Sequence, residues 1–166
     1  MPDFRAATFD LSRVDASGKE VGRNVYWKFY AVENVVRVII HSVLSVQIGQ
    51  GWWSTAVDTK LQGKATRFRG SYTQNPWHSS PGKHDIYYLD LVDLNEIIRA
   101  NSHFFLPIIP KIDEWMARIE QVRLPRNVVA HMNWLTPTDR ARIDVIHQDI
   151  KALAAIVGQK TPLTIP

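Results

Sequence analysis

The chain contains no cysteine, which excludes both a disulfide framework and a thiolate-ligated metal site. It has no glycine-rich phosphate loop and no internal repeat, so neither a P-loop nucleotide site nor a repeat array is expected. No window approaches the roughly 20 consecutive apolar residues of a membrane span. The opening Met1-Pro2-Asp3-Phe4-Arg5 also lacks the apolar core of a signal peptide. A cytoplasmic protein with no membrane partner is the expectation. Acidic side chains are missing from one long interval: none occurs between Asp58 and Asp85, while Lys60, Lys64, Arg67, Arg69 and Lys83 accumulate beside Tyr72, Trp77, His78 and His84. This block reads either as a polar loop on a mildly basic protein or as a surface that tracks phosphates and offers rings to bases. On the second reading Lys60, Lys64, Arg67, Arg69 and Trp77 are the candidate contacts.

What is present fits one domain. The 166 residues are 45% hydrophobic and carry a net charge of +4, enough for a real core and permissive of an anionic partner. Residues 1–16 lack periodicity and read as an arm or short strand, with Ser17 and Glu20 as a capping-box start. Apolar residues at Val25, Phe29, Val32, Val36, Ile39, Ile40, Val43 and Leu44 have the three-and-four spacing of an amphipathic helix over 21–48. Gly49-Gln50-Gly51 ends it. Trp52-Trp53 opens a second helix to about residue 65, with the two indoles as core filling. Asn75-Pro76 and Ser80-Pro81-Gly82 mark 66–86 as a basic loop, and 86–89 as a short extended link. Asp90 with Asp93 starts a helix that ends near Asn101. After at most a turn around Pro107 and Pro110, helices follow over 111–122, from Pro125, and from Thr136-Pro137-Thr138-Asp139 to Gly158. The sum is an all-α bundle of five or six helices in a single domain over 1–166.

Leu124 to Trp134 is the chemically distinctive stretch. Pro125 suits the first helical position, where its missing N–H is no loss. Asn127 and His131 then share a face, and Arg126 lies about 100° to one side, so all three can reach one small ligand. In a first turn, Arg126 and Asn127 would also stand beside free backbone N–H groups and the positive end of the helix dipole, a ready phosphate site. Taken singly each has an ordinary explanation: a helix-start salt bridge for Arg126, a backbone cap for Asn127, a buried imidazole for His131. Trp134 reads as packing against the final helix. His41, His103 and His147 read as structural or surface residues. His78 and His84 have no acid or third imidazole at a fitting interval, so no metal site is expected.

Arg126-Asn127-Val128-Val129-Ala130-His131 matches the arginine, polar residue, three residues, histidine signature of the HEPN superfamily (higher eukaryotes and prokaryotes nucleotide-binding). The early helix with Glu33 and Arg37, then Trp52-Trp53, then Tyr87-Tyr88 to Asp93-Leu94 running into Ile97-Ile98, resembles its Swt-type branch over residues 24–157. The resemblance implies a HEPN-like helical bundle that cleaves RNA as an endoribonuclease without metal or cofactor. It implies a homodimer whose two motifs face each other, leaving 2′,3′-cyclic phosphate and 5′-hydroxyl ends. His131 from the two chains would act as base and acid, Arg126 would clamp the phosphate, and Asn127 would orient either group. Glu33 could pair with the motif arginine, or equally with Arg37 four residues on. Some HEPN toxins carry a tyrosine two positions after the histidine for silencing by nucleotide transfer; here Asn133 stands there, so that mode is not expected. The settings implied are toxin–antitoxin pairs, phage defence or RNA surveillance, with an antitoxin or regulatory protein as a further partner. The alternative is a non-catalytic HEPN-like module for nucleic-acid or nucleotide binding or dimerisation within a larger system.

Overall fold

In this computed structural model, residues 3–166 are described. Among them there is no strand, and nine α-helices enclose one apolar core. The all-α expectation therefore holds, with more and shorter helices than the five or six foreseen.

The first difference lies at the N-terminus. Residues 3–16 are not an arm: Phe4–Ala6 forms a 3-10 turn, and α1 runs Leu11–Val21. The cap is Asp10, whose carboxylate accepts the Ser12 N–H at 2.8 Å. Ser17 is buried inside α1 rather than starting a helix. A π turn, Gly22–Tyr26, joins α1 to α2, Trp27–Ile48. One extra residue in such a turn rotates the helix beyond it, and π turns recur at functional sites; this one carries Tyr26 into a groove that Arg126 also lines. Gly49, at φ 98°, ends α2 in a conformation that suits glycine.

Continuous from Leu11 to Ile48, this helix is 38 residues long and by length and hydropathy could cross a membrane, which corrects the reading that no window approaches a span. Half of its most apolar window is buried inside the protein. Val36, Ile39, Ile40, Val43 and Leu44 supply that burial, and α2 is thus the core helix. Against it packs α9, Pro137–Gly158, started as foreseen by Thr136, whose hydroxyl accepts the Asp139 N–H at 3.1 Å. Ile143, Ile146, Ile150 and Leu153 bury its stripe.

The expected helix over 52–65 is two elements. α3, Trp52–Ala56, stops because Val57 turns extended. Asp58 then caps α4, Thr59–Thr73, through the Lys60 N–H at 2.7 Å. Residues 66–73 of the expected 66–86 loop are therefore helix. Burial of Leu61 and Ala65 holds α4 against the segment 85–88, which is a 3-10 turn, Asp85–Tyr88, rather than extended. α5, Leu91–Ala100, begins with the foreseen Asp90–Asp93 capping box. The short α6, Ser102–Phe105, then α7, Ile112–Glu120, and α8, Arg123–Ala130, complete the fold.

On α5, Asn95 is only 4% exposed, and neither amide atom meets a hydrogen-bond partner among the described residues. An unsatisfied buried amide costs roughly 1–3 kcal/mol. Asn95→Leu, which has the same branched skeleton, is expected to stabilise the protein by about 1 kcal/mol, read as a higher midpoint in urea; a lower midpoint would show that the amide has a role here.

Candidate functional site: an arginine groove beside an exposed histidine

Helix α8 starts two residues earlier than Pro125 suggests. Arg123 is its first residue, so Pro125 takes the third position, where an N–H would still be unpaired. The Arg126 N–H already bonds the Val122 carbonyl at 2.8 Å. Arg126 and Asn127 therefore do not stand among free first-turn N–H groups, and the expected backbone phosphate site is not formed there. His131 lies at the opposite end as the C-cap residue, its N–H on the Asn127 carbonyl at 3.0 Å. Met132 follows in a left-handed conformation, φ 58°, which turns the chain away from the helix axis.

What fixes Arg126 is a side chain far away in sequence. Its Nε donates to Glu33 Oε2 at 3.2 Å, while Glu33 Oε1 takes Arg37 Nη2 at 2.5 Å. Both partnerships considered for Glu33 exist at once. Arg37 is only 7% exposed, and its guanidinium also donates to Asn34 Oδ1 at 3.0 Å, to the Leu89 carbonyl at 2.8 Å and, longer, to the Ile86 carbonyl at 3.4 Å. The two carbonyls belong to the 3-10 turn and its exit, so this arginine ties α2 to the segment before α5. With two guanidinium groups on one carboxylate, the array keeps a net positive charge and suits an anion.

The array lines a groove of about 490 Å³, with Tyr26, Tyr30 and Met132 on its walls. A neighbouring hollow of about 290 Å³ shares Glu33, Arg37, Tyr87 and Arg126 and reaches Lys64. Asn127 is exposed and lines a smaller hollow of about 90 Å³ together with Arg126. His131 is exposed at the lip, between groove-lining Ala130 and Met132, and its ring has no hydrogen-bond or ion-pair partner among the described residues. The fold thus brings Glu33, Arg126 and Asn127 together and leaves His131 beside them, facing solvent. Sequence reasoning passed over Tyr30 and Asn34; the available signal was their three-and-four spacing to Glu33 and Arg37 on α2.

The basic block divides. Lys64 is held by Asp93 at 2.6 Å and Asp90 at 3.1 Å, and Arg69 by Asp85 at 2.7 Å. Burial of the Lys64 ammonium works against its charge, yet hydrogen bonds to these carboxylates raise its pKa overall. Neither Lys64 nor Arg69 is a free phosphate contact, which corrects that reading, because α4 and the capping box bring carboxylates to them that sequence distance hid. Lys60 and Arg67 are exposed without an acidic partner among the described residues, and line a hollow of about 410 Å³ with Lys64. Trp77, 75% exposed, stands in the loop after α4. Among the described residues, no group of three or more histidine, cysteine or acidic side chains could hold a metal ion.

The turn that forms one wall rests on a histidine pair. His84 Nδ1 accepts the Ile86 N–H at 3.1 Å, and His41 Nδ1 accepts the Trp52 indole N–H at 3.2 Å. The two imidazoles lie 5.4 Å apart, with His84 stacked on Trp52. Burial lowers the pKa of both below 6.5, and the nearby His41 lowers His84 further. Because the folded protein disfavours the imidazolium more than the unfolded chain does, stability is complete above the unfolded pKa of 6.5 and declines as pH falls below it. Protonation at either Nδ1 also breaks the bond it accepts. His84→Asn keeps a capping acceptor but cannot titrate, so its melting temperature should fall less steeply than wild type below this pH. Equal slopes would remove His84 from the account.

Comparison of the chain with family models, with curated proteins and with solved structures gave no match.

Proposed function

We propose that the chain is a metal-independent endoribonuclease of the HEPN type, acting in the cytoplasm as a homodimer. The observation that carries this reading is Arg126, fixed by Glu33 in a cationic groove with the unpartnered His131 at its lip. Its Nη atoms, unlike the Nε bonded to Glu33, have no hydrogen-bond partner among the described residues and remain available to phosphate oxygens. Cleavage requires a base for the 2′-hydroxyl proton, positive charge for the phosphorane, and an acid for the departing 5′-oxygen. His131 takes the proton as O2′ attacks phosphorus; Arg126 stabilises the added charge; the P–O5′ bond breaks as the same imidazole of a second copy protonates O5′. Asn127 lies close enough to Arg126 to orient the phosphate. A two-fold axis is required because one motif holds one imidazole. Exposed apolar side chains beside the motif support such an axis: Tyr30, 64% exposed, Met132, 86% exposed, and Leu124, 63% exposed.

Lys60 and Arg67 on α4 and Trp77 in the loop after it would extend the RNA contact. An antitoxin or regulatory protein covering the groove fits a toxin–antitoxin, phage-defence or RNA-surveillance setting. A second reading, a non-catalytic module binding nucleic acid or a nucleotide, is favoured by His131 lying outside the hollows that hold Arg126. Labelled single-stranded RNA incubated with the protein and EDTA separates the two. Products with cyclic phosphate and 5′-hydroxyl ends support the nuclease; binding without products supports the module. A monomer by mass in solution at micromolar concentration that still cleaves RNA would remove the two-histidine mechanism.

A further inference from the structure

Behind the motif lies a second cavity, of about 310 Å³, between α1 and the residues leaving α8. Its size is near the lower bound of roughly 300 Å³ for small-ligand pockets. Val14, Val21 and Val129 with the rings of Phe4, Tyr26 and Trp134 make its wall mainly apolar, and no charged residue lines it among those described. The space comes from α1: Gly18 and Gly22 both line it, and a Cβ on either would meet no atom within 4 Å. Gly22 has ordinary right-handed φ, and Gly18 sits inside the helix. Glycine is the poorest helix former after proline, and neither a positive φ nor a close contact calls for it at either position. What the pair leaves is room.

Tyr26, Val129 and Met132 line both this cavity and the groove of Arg126. An uncharged, ring-walled room thus adjoins a cationic groove across one shared wall. We propose that the cavity receives one base of a single-stranded RNA whose phosphate lies against Arg126, an inference that rests on reading the groove as the RNA site. A nucleotide has these two parts, a flat ring system with apolar faces and an anionic link, and single strands are gripped by stacking splayed bases on aromatic side chains. A lipid tail would gain nothing from the adjacent arginines. Asn133, a polar group at the wall, already accepts from Arg5 Nη1 at 3.2 Å and donates to the His131 carbonyl at 2.8 Å. These two bonds fix the amide's orientation and leave it one N–H and one lone pair, while the apolar rings of the wall meet the faces of a base. The second bond ties the cavity wall to the residue that carries the imidazole.

The test uses an oligoribonucleotide with 2-aminopurine stepped along its length, bound to the full chain in a His131→Ala background that leaves the strand intact. One position is quenched on binding, and an abasic site there weakens binding about tenfold. Gly18→Leu and Gly22→Leu, which fill the cavity and improve the helix, keep or raise the melting temperature, lose the quench, weaken intact RNA by the same factor and gain no further loss with abasic RNA. If both variants bind intact RNA like their parent while Arg126→Ala weakens it, the base pocket is wrong and the groove reading stands. If Arg126→Ala leaves affinity unchanged, the groove reading fails and the base pocket with it. Unchanged RNA affinity with an altered mass in solution in the glycine variants would give the cavity to a second copy of the chain and overturn the proposal.

Discussion

His131→Ala is expected to lower RNA cleavage by about 10²- to 10⁴-fold, the usual contribution of a positioned general acid or base, with little change in stability. The ring is exposed and makes no hydrogen bond or ion pair among the described residues, and truncating such a side chain shifts stability by less than about 0.5 kcal/mol. RNA binding should persist, because Arg126, Glu33 and Arg37 hold their geometry without it. Mixing gives a sharper reading. If each reaction needs imidazoles from two chains, replacing wild type by the variant at constant total protein concentration, with subunits allowed to exchange, depresses activity with the square of the wild-type fraction. A linear decline would mean that each chain cleaves alone, and an undiminished variant would end the nuclease proposal.

The largest effect on stability is expected from Arg37→Met. The methionine keeps much of the apolar stem of a side chain 7% exposed, so the loss isolates the guanidinium. Removing it takes a partner from Glu33, whose side chain is 14% exposed, and donors from Asn34 and the Leu89 and Ile86 carbonyls. Removing one partner of a buried pair costs about 3–5 kcal/mol when the remaining charge is left uncompensated; Glu33 keeps Arg126, so the lower end, about 3 kcal/mol, is expected. For a chain of this length that corresponds to a fall of roughly 10 °C in melting temperature. The same change loosens the 3-10 turn from α2, so RNA affinity should fall even at temperatures where the protein stays folded. A variant that melts like wild type would show that the Glu33–Arg126 pair and the backbone alone suffice.

Sequence reasoning located the motif helix, the helix starts at Asp90 and Thr136 and the long core helix, but not the start of α1, because the first three depend on neighbours within a few residues. Asp90 and Asp93 are three apart and announce α5 whatever lies beyond; Thr136 does the same for α9. It misread 66–73, where Gly70 depresses helix propensity and the later prolines suggest a loop. There the helix is supported by Leu61 and Ala65 packing under the turn at 85–88, a tertiary gain that overrides local preference. Residues 11–16 were missed for a related reason. They lack apolar periodicity of their own, and their helix is held by the Asp10 cap and by its continuation through the π turn into the core helix.

The charged site divides along the same line. Arg126, Asn127 and His131 could be singled out from the chain because their side chains project from one short helical segment, and the candidate acid Glu33 because of a resemblance. The meeting of Glu33 with Arg126 across 93 residues, the capture of Lys64 and Arg69 by acids, and the cavity beneath Trp134 were decided only when the helices packed. Periodicity and capping are set by the backbone's own repeat and need no distant partner. Which charges neutralise one another, and where a hollow remains, depends on distances between elements, and those exist only in the assembled fold.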